Sequence, residues 1–276
     1  MVGHLQDRYE LHNGVKIPYV GLGVYKMEDK EEAVGAVKTA LETGYRSIDT
    51  AQFYQNEDCV GKAVAELGIP REEIFITSKV WNSDQGYDST LRAFEHSLNE
   101  LKQDYIDLYL IHWPIKVKYK ETWKALERLY REGVVKAIGV SNFQIHHLED
   151  LMSTSNEKPV INQVELHPYL SQKPLREFCK QHQIAVEAWS PIARGRILED
   201  PVLAEMGKKY GKTTAQIILR WHLQNNVVII PKSVHANRIK ENAQLFDFEL
   251  QATDVEVIHS LNKDQRFGKD PDYFNL

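Results

Sequence analysis

Short apolar runs alternate with amphipathic stretches along most of the chain. Eight runs are predicted as β-strands: 20–24, 46–49, 74–79, 106–112, 136–142, 160–165, 185–190 and 227–232. Several are almost continuously apolar, which is typical of parallel strands that are covered on both faces. The intervals between them carry apolar residues at helical spacing. The pattern therefore predicts repeated strand–helix units.

The helix boundaries are marked by capping residues. The first helix has Asp29 as its N-cap, with Glu32 completing a capping box, and ends at Gly44. The second begins after Asn56 and ends at Gly68. An apolar stripe over 91–101 predicts a third. Further helices are predicted over 119–132, 146–153, 172–182, 201–210, 214–224, 236–244 and 253–261.

Eight strand–helix units in 276 residues favour a single (β/α)8 TIM barrel domain spanning 1–276. Residues 9–20 precede the repeats and predict a β-hairpin with a two-residue turn at Asn13 and Gly14. The chain ends in a short C-terminal loop. The alternative is a doubly wound open sheet, but its phosphate-binding loop needs a third glycine after Gly21 and Gly23.

Composition excludes several classes of protein. Hydrophobic residues make up 42% and charged residues 26%, which excludes a disordered chain. The net charge of -5 and the lack of a Lys/Arg cluster argue against nucleic-acid binding. No apolar run is long enough to span a membrane, and Cys59 and Cys179 have no metal-ligand or redox spacing. We interpret His146 and His147 as a solvated helix face and expect no metal. We expect a cytoplasmic monomer that acts on small molecules.

Polar residues stand at the ends of seven predicted strands. They are Asp49, Lys79, His112, Ser141 with Asn142, Gln163 with Glu165, Trp189 with Ser190, and Lys232 with Ser233. The carboxyl ends of all barrel strands meet at one face, where barrel enzymes place their chemistry. Any one of these residues could simply begin a solvated loop. Asp, Lys and His on three successive strands, with Tyr54 shortly after the first, instead indicate an active site.

Eight stretches together resemble the aldo-keto reductase family over essentially the whole chain. They are GLGVYK (21–26), IDTAQFYQNE (48–57), ITSKVWN (76–82), LYLIHWP (108–114), AIGVSNF (137–143), INQVELHPYLSQ (161–172), EAWSP (187–191) and IPKSVHANRIKEN (230–242). The likeness is greatest to small bacterial and protist members that reduce glyoxals and similar carbonyls.

The resemblance implies a catalytic tetrad and an extended NADP(H) site across the barrel mouth. The tetrad positions are Asp49, Tyr54, Lys79 and His112. The implied cofactor positions are Ser141, Asn142 and Gln163 at the carboxamide, Trp189 stacked on the nicotinamide, Lys232, Ser233 and Arg238 at the 2′-phosphate, and Glu241 and Asn242 at the adenine. Ser190 is implied as a further cofactor-binding residue. Trp189 stands where many relatives have tyrosine. Arg194 and Arg196 make the loop near the pyrophosphate unusually basic.

Elementary chemistry assigns the roles within the tetrad. No side chain supplies hydride, so carbonyl reduction needs a nicotinamide. An ammonium about 4 Å from a phenol contributes about 4 kcal/mol at an effective dielectric of about 20, or roughly three pKa units. Lys79 is therefore expected to lower the pKa of Tyr54 and make it the general acid. The same charge disfavours a charged His112, which would orient the carbonyl, and Asp49 would anchor Lys79.

Aromatic residues follow several strand ends and predict an apolar substrate pocket. They are Tyr25, Phe53, Trp81 and Trp113, and His112 adds a polar contact. Because the polar segment 262–276 is short, we expect an open pocket that admits aldehydes, ketones and dicarbonyls such as glyoxal and methylglyoxal. Two alternatives stay open: a nucleotide-binding protein without catalysis, and a Schiff-base aldolase using Lys79.

Overall fold

The computed structural model describes residues 2–274. A hairpin opens the chain, with β1 (Arg8–Glu10) antiparallel to β2 (Lys16–Pro18). The Leu11 amide donates to the Val15 carbonyl at 2.8 Å, so three residues join the arms rather than two. The predicted two-residue turn is wrong because it needs positive φ at both central positions, and only Gly14 has it.

Eight parallel strands follow in the order in which they pair. They are β3 (Leu22–Gly23), β4 (Ser47–Asp49), β5 (Phe75–Val80), β6 (Ile106–Ile111), β7 (Val135–Ser141), β8 (Ile161–Glu165), β9 (Ala185–Trp189) and β10 (Val228–Ile229). The amide of Gly21 donates to the carbonyl of Ile229 at 2.8 Å, and the amide of Ile229 donates to the carbonyl of Tyr19 at 2.9 Å. These bonds join the last strand to the first, so the (β/α)8 prediction is confirmed and the open sheet is excluded.

Close backbone approach explains the glycines at this seam. A Cβ atom on Gly23 would lie 2.8 Å from the carbonyl oxygen of Ile230. One on Gly21 would lie 2.9 Å from the hydroxyl of Ser47. The two glycines therefore let the barrel close, and they do not form a phosphate-binding loop.

Ten helices connect and cover the strands among the described residues. They are α1 (Lys30–Thr43), α2 (Glu57–Leu67), α3 (Tyr87–Leu101), α4 (Tyr119–Arg131), α5 (Ile145–Met152), α6 (Lys173–Gln181), α7 (Pro201–Tyr210), α8 (Thr214–Gln224), α9 (Ala236–Asn242) and α10 (Ala252–His259). The predicted bounds differ from these by at most two residues, except that α3 begins four residues before the predicted apolar stripe at 91–101. None of the helices within residues 2–274 is both long and apolar enough to cross a membrane.

The predicted caps are partly correct. The Asp29 carboxylate accepts from the amide of Glu32 at 2.8 Å, and Gly44 ends α1 in the left-handed conformation. Asn56 precedes α2 but makes no side-chain cap there. Its amide group instead donates to the Val24 carbonyl at 3.0 Å. Asn56 therefore ties the start of α2 to the loop that follows β3.

The barrel interior is apolar at one end and polar at the other. Leu11 and Ile17 of the hairpin belong to one buried apolar cluster with Phe75, Ile161 and Val228, which are the first residues of their strands. Each such buried side chain stabilises the fold by roughly 1.5–3 kcal/mol. The hairpin therefore closes that end, and the polar side chains gather at the carboxyl ends.

Candidate active site

The four predicted tetrad residues meet at the carboxyl end of the barrel. Asp49 ends β4, Lys79 lies on β5, and His112 follows β6 directly. Tyr54 lies in a single 3-10 turn (Gln52–Tyr54) after β4. The ring centroids of Tyr54 and His112 are 5.7 Å apart. The structure thus brings together side chains from three successive strands and the turn between the first two.

Lys79 is fully buried and lies between a carboxylate and a phenol. Its Nζ donates to Asp49 Oδ1 at 2.6 Å, to the Thr50 carbonyl at 2.8 Å and to the Tyr54 hydroxyl at 3.5 Å. Burial is the largest single influence and disfavours the ammonium, but the charges of Asp49 and Tyr54 and the hydrogen bond to Asp49 together outweigh it and raise the pKa of Lys79 above its ordinary value. Lys79 is therefore a fixed cation at neutral pH.

The net pKa shift of Tyr54 differs from the sequence-based expectation. Burial raises the pKa of Tyr54 to about 12, although Lys79 acts in the opposite, predicted direction. The expectation of a lowered pKa was wrong because it counted the ammonium and left out desolvation of the phenolate. The nearby charge of Asp49 also offsets part of the lysine's effect. Tyr54 accordingly keeps its proton in this site.

His112 is neutral. The charge of Lys79 contributes to this, as expected from the sequence, and burial contributes more. Burial, and then the charge of Lys79, hold the pKa of His112 well below its usual range. The backbone carbonyl of His112 accepts from the Asn142 side chain at 2.9 Å. This bond fixes the backbone at residue 112. The neutral imidazole can exchange hydrogen bonds with a ligand without adding a second cation to the site.

A second network occupies the mouth on β7 to β9. The Ser141 hydroxyl donates to the Gln163 carbonyl at 2.8 Å, and the Asn142 amide donates to the Ser141 hydroxyl at 3.1 Å. Asn142 Oδ1 accepts from the indole nitrogen of Trp189 at 2.8 Å. Arg194 Nε approaches the hydroxyl of Ser190 at 3.5 Å. Three of the predicted cofactor residues, Ser141, Asn142 and Trp189, thus form one continuous network with the backbone of Gln163.

The predicted phosphate and adenine residues lie beyond β10. Lys232 and Arg238 are exposed, and neither forms an ion pair with a residue in the described range 2–274. Ser233 is buried, and its hydroxyl accepts from the amide of His235 at 3.1 Å. Glu241 accepts from the Thr213 hydroxyl at 2.9 Å. Asn242 is buried at the end of α9.

Aromatic rings surround Tyr54 and His112. Tyr25 packs on Tyr54 with ring centroids 5.0 Å apart, and Trp81 lies 5.0 Å from His112. Phe53 stacks on Trp81 at 3.8 Å. The predicted aromatic rim is therefore present on the side of β3 to β5.

The C-terminal segment contributes a further ring that the sequence analysis missed. Phe274 lies 4.4 Å from Trp113 and 6.5 Å from Trp81, measured between ring centroids. Phe274 therefore partly covers the rim that we expected to be open. Residues 275 and 276 of the segment 262–276 lie outside the described range. Three aromatic residues in this largely polar segment, Phe267, Tyr273 and Phe274, were the available signal.

Glu165 holds the C-terminal segment against the mouth. Its buried carboxylate accepts from the amides of Phe267 at 2.7 Å and Gly268 at 3.0 Å. A Cβ atom on Gly268 would lie 2.4 Å from the indole of Trp189. Arg196 stacks on Phe267, with its guanidinium carbon 5.0 Å from the ring centroid. The tail is therefore clamped beside Trp189.

The two adjacent histidines differ from their predicted solvated face. His146 is exposed, but His147 is buried, and its Nδ1 accepts from the Gln144 amide at 3.1 Å. Asp272 lies 3.0 Å from His146 Nε2 and 3.7 Å from His147 Nε2. Because Nδ1 of His147 already accepts, its Nε2 carries the proton of the neutral ring and has no lone pair for a metal.

Comparison with known proteins agrees with this geometry. The sequence model described as the Aldo/keto reductase family matches residues 20–263. The chain belongs to the aldo/keto reductase family. It is 57% identical to glyoxal reductase of Bacillus subtilis (strain 168), with 97% of each chain covered. It is 53% identical to 9,11-endoperoxide prostaglandin H2 reductase of Trypanosoma cruzi (strain CL Brener), over 96% of this chain and 94% of that protein.

A solved structure with bound NADPH matches the barrel closely. A mutant of Gox0644 in complex with NADPH superposes with a TM-score of 0.94 at 45% identity, covering 98% of this chain and 99% of that chain. The family assignment based on the eight sequence stretches is confirmed.

Proposed function

We propose that this chain is an NADPH-dependent reductase that converts aldehydes, ketones and dicarbonyls, such as glyoxal and methylglyoxal, to alcohols. The observation that carries the proposal is the buried contact of the Lys79 ammonium with the Tyr54 hydroxyl, beside a neutral His112. The named activity of the Bacillus relative and the NADPH bound to the Gox0644 mutant support the choice of substrate and cofactor.

The residues at the mouth fit a nicotinamide cofactor. Both N–H groups of the Gln163 side chain are used within the protein, and its carbonyl oxygen is left for a ligand. Trp189 offers a half-buried indole that is held by Asn142. Lys232 and Arg238 offer exposed cations for a phosphate. When bound, the cofactor supplies the hydride.

We assign the proton transfer to Tyr54 and the orientation of the carbonyl to His112. Reduction of a carbonyl produces an alkoxide oxygen, which is far more basic than a phenolate. A donor with a pKa of about 12 therefore still passes its proton downhill. Lys79 stabilises the phenolate that remains, and Asp49 fixes Lys79 at 2.6 Å.

The aldolase alternative requires a neutral, mobile amine at Lys79. Asp49 raises the pKa of Lys79, and the ammonium is held by three oxygen atoms. A lysine in this state is a poor nucleophile. The alternative of binding without catalysis conflicts with the presence of all four tetrad side chains in contact.

The decisive experiment follows NADPH absorbance with a panel of glyoxal, methylglyoxal, aromatic aldehydes and simple ketones. We expect consumption that depends on the carbonyl, with the corresponding alcohol as product. Absence of turnover with every carbonyl, despite measurable NADPH binding, would refute the proposal in favour of the non-catalytic alternative.

We also propose that the enzyme acts as a monomer in the cytoplasm. All four tetrad side chains come from one chain, so the site is complete without a partner. Both cysteines are buried and unpaired, as suits a reducing compartment. Light scattering coupled to gel filtration checks the mass against the 31.9 kDa of one chain.

A further inference from the structure

A buried glutamate lies below the tetrad in the barrel. Glu187 is in the middle of β9 and only 1% exposed. It is the register partner of Gln163 on β8, so the two side chains lie next to each other inside the barrel. Gln163 Nε2 donates to Glu187 Oε2 at 2.7 Å. No step of the proposed reaction uses this carboxyl group directly.

The same amide nitrogen makes a second bond to the tetrad. Gln163 Nε2 donates to Asp49 Oδ2 at 2.7 Å. A primary amide has two N–H donors on nitrogen and only acceptors on oxygen. Carboxyl oxygens of Asp49 and Glu187 lie on the same side of the Gln163 amide. They therefore favour the orientation in which Nε2 faces both of them. Its carbonyl oxygen, Oε1, is left to face away from both carboxyl groups.

We propose that Glu187 is a positioning residue that acts through Gln163. With Asp49 it forms a two-point clamp that presents Oε1 of Gln163 as an acceptor for the N–H of the nicotinamide carboxamide. The inference rests on the proposed function, because it concerns the cofactor that this function requires. Without Glu187, the side-chain amide of Gln163 would keep only its hydrogen bond to Asp49 and could rotate about it.

The charge state of Glu187 is compatible with this role. Burial, and then the negative charge of Asp49, raise the pKa of Glu187 to about 8. The carboxyl group is therefore mainly neutral at pH 7, and its carbonyl oxygen still accepts a hydrogen bond. Glutamine is the closest neutral replacement, since it keeps a carbonyl oxygen at the same reach. Methionine has a similar length but lacks a strong acceptor.

The experiment compares the binding of two oxidised cofactors by quenching of tryptophan fluorescence. One is NADP+, and the other is its 3-acetylpyridine analogue, which keeps the carbonyl oxygen but has a methyl group in place of the NH2. We expect the wild-type protein to bind NADP+ more tightly. Glu187→Met should reduce this preference by about 2- to 10-fold, which corresponds to the net value of one hydrogen bond. Glu187→Gln should retain it.

Controls separate positioning from general damage. The ligand 2′,5′-ADP has no nicotinamide, so its affinity should be equal in all three proteins. If Glu187→Met does not fold, Glu187→Asn provides the second test, because it stays polar but is one methylene too short to reach Gln163. An unchanged preference in a folded Glu187→Met or Glu187→Asn protein would overturn the inference.

The outcomes also distinguish this inference from the proposed function. A wild-type protein that reduces carbonyls with NADPH but binds both cofactors equally would overturn the role of Glu187 and leave the function intact. A wild-type protein that binds neither cofactor would overturn both.

Discussion

The Lys79 ammonium lies 2.6 Å from the Asp49 carboxylate and 3.5 Å from the Tyr54 hydroxyl. The ion pair is therefore tighter than the contact with the phenol. This arrangement keeps Lys79 charged although its side chain is fully buried, and it leaves a weaker bond that can strengthen as negative charge develops on Tyr54. Stabilisation that grows during the reaction accelerates it more than stabilisation already present in the ground state.

Replacing Tyr54 with phenylalanine tests the proton donor. The ring and its packing against Tyr25 remain, and only the hydroxyl is removed. We expect kcat to fall by about 10²- to 10⁴-fold, the usual contribution of general acid catalysis. The dissociation constant of NADPH, measured by fluorescence, should change little. A kcat close to the wild-type value would contradict the assignment.

The strand order and the rim positions of Asp49, Lys79 and His112 could be predicted because both rest on local signals. Every barrel strand after the first is an apolar run that follows a helix and ends at a polar residue, so the sequence placed Asp49, Lys79 and His112 at the carboxyl ends, where the structure has them. The pKa of Tyr54 could not be predicted, since burial depends on packing against residues far away in sequence.

Other features depend on contacts that no local pattern reveals. The short seam between β10 and β3 requires Gly21 and Gly23, in which the sequence alone showed only an incomplete phosphate-binding motif. The sequence does contain one indication of Glu187, which is the single acidic residue in the apolar run AVEAW. A charged residue in such a run needs a partner, and this could have pointed to Gln163.

The ion pair of Lys79 and Asp49 should be visible in stability as well as in catalysis. Lys79→Met leaves the Asp49 carboxylate buried without its cation, and breaking such a pair costs about 3–5 kcal/mol. We expect the free energy of unfolding of Lys79→Met, measured in urea, to fall by about this amount. The double variant Lys79→Met/Asp49→Asn should recover much of the stability but not kcat. Recovery of activity as well would show that the lysine charge has no catalytic role.

Glu187 should make stability depend on pH. Its pKa is raised to about 8 in the folded protein, so between the ordinary glutamate pKa and pH 8 the folded state binds more protons than the unfolded state. Stability must then fall as pH rises through this window, by up to about 1.4 kcal/mol per pH unit from this group. The groups facing Glu187 are Asp49, Lys79 and Gln163.

Urea unfolding at pH 5, 6.5 and 8 checks this pH dependence in the wild-type protein and in Glu187→Gln. The variant cannot ionise at this position, so its stability relative to the wild-type protein should increase steadily with pH. A constant difference across the three pH values would contradict the raised pKa.

The aromatic walls should control substrate size. Trp113→Ala and Phe274→Ala remove rings that lie 4.4 Å apart at the rim. A bulky aromatic aldehyde contacts more of this wall than methylglyoxal does, so its kcat/KM should fall further in both variants. Tyr273→Ala is the control, since Tyr273 is 84% exposed in the same segment. Equal losses for the two substrates would indicate that the rings only support the fold.

The cofactor preference should depend on Lys232 and Arg238. Both are exposed, and neither is paired with another residue of the described chain, so both are free to meet a 2′-phosphate. A charge-assisted hydrogen bond contributes about 1.5–3 kcal/mol, or roughly 10- to 150-fold in affinity. Lys232→Met and Arg238→Ala should each weaken NADPH binding within this range and leave NADH binding nearly unchanged. The preference should also decline as salt is added, because exposed charges are screened.

Lys240→Met is the matched control for this pair. Lys240 is an exposed cation on the same helix, α9, but two residues beyond Arg238, and positions two apart point to different sides of a helix. Its replacement changes the net charge as Lys232→Met does, so an effect of overall charge would appear equally in both. We therefore expect NADPH affinity to be preserved in Lys240→Met. Comparable wild-type kcat/KM values for NADH and NADPH would refute the phosphate site, even if Tyr54 proved to be the proton donor.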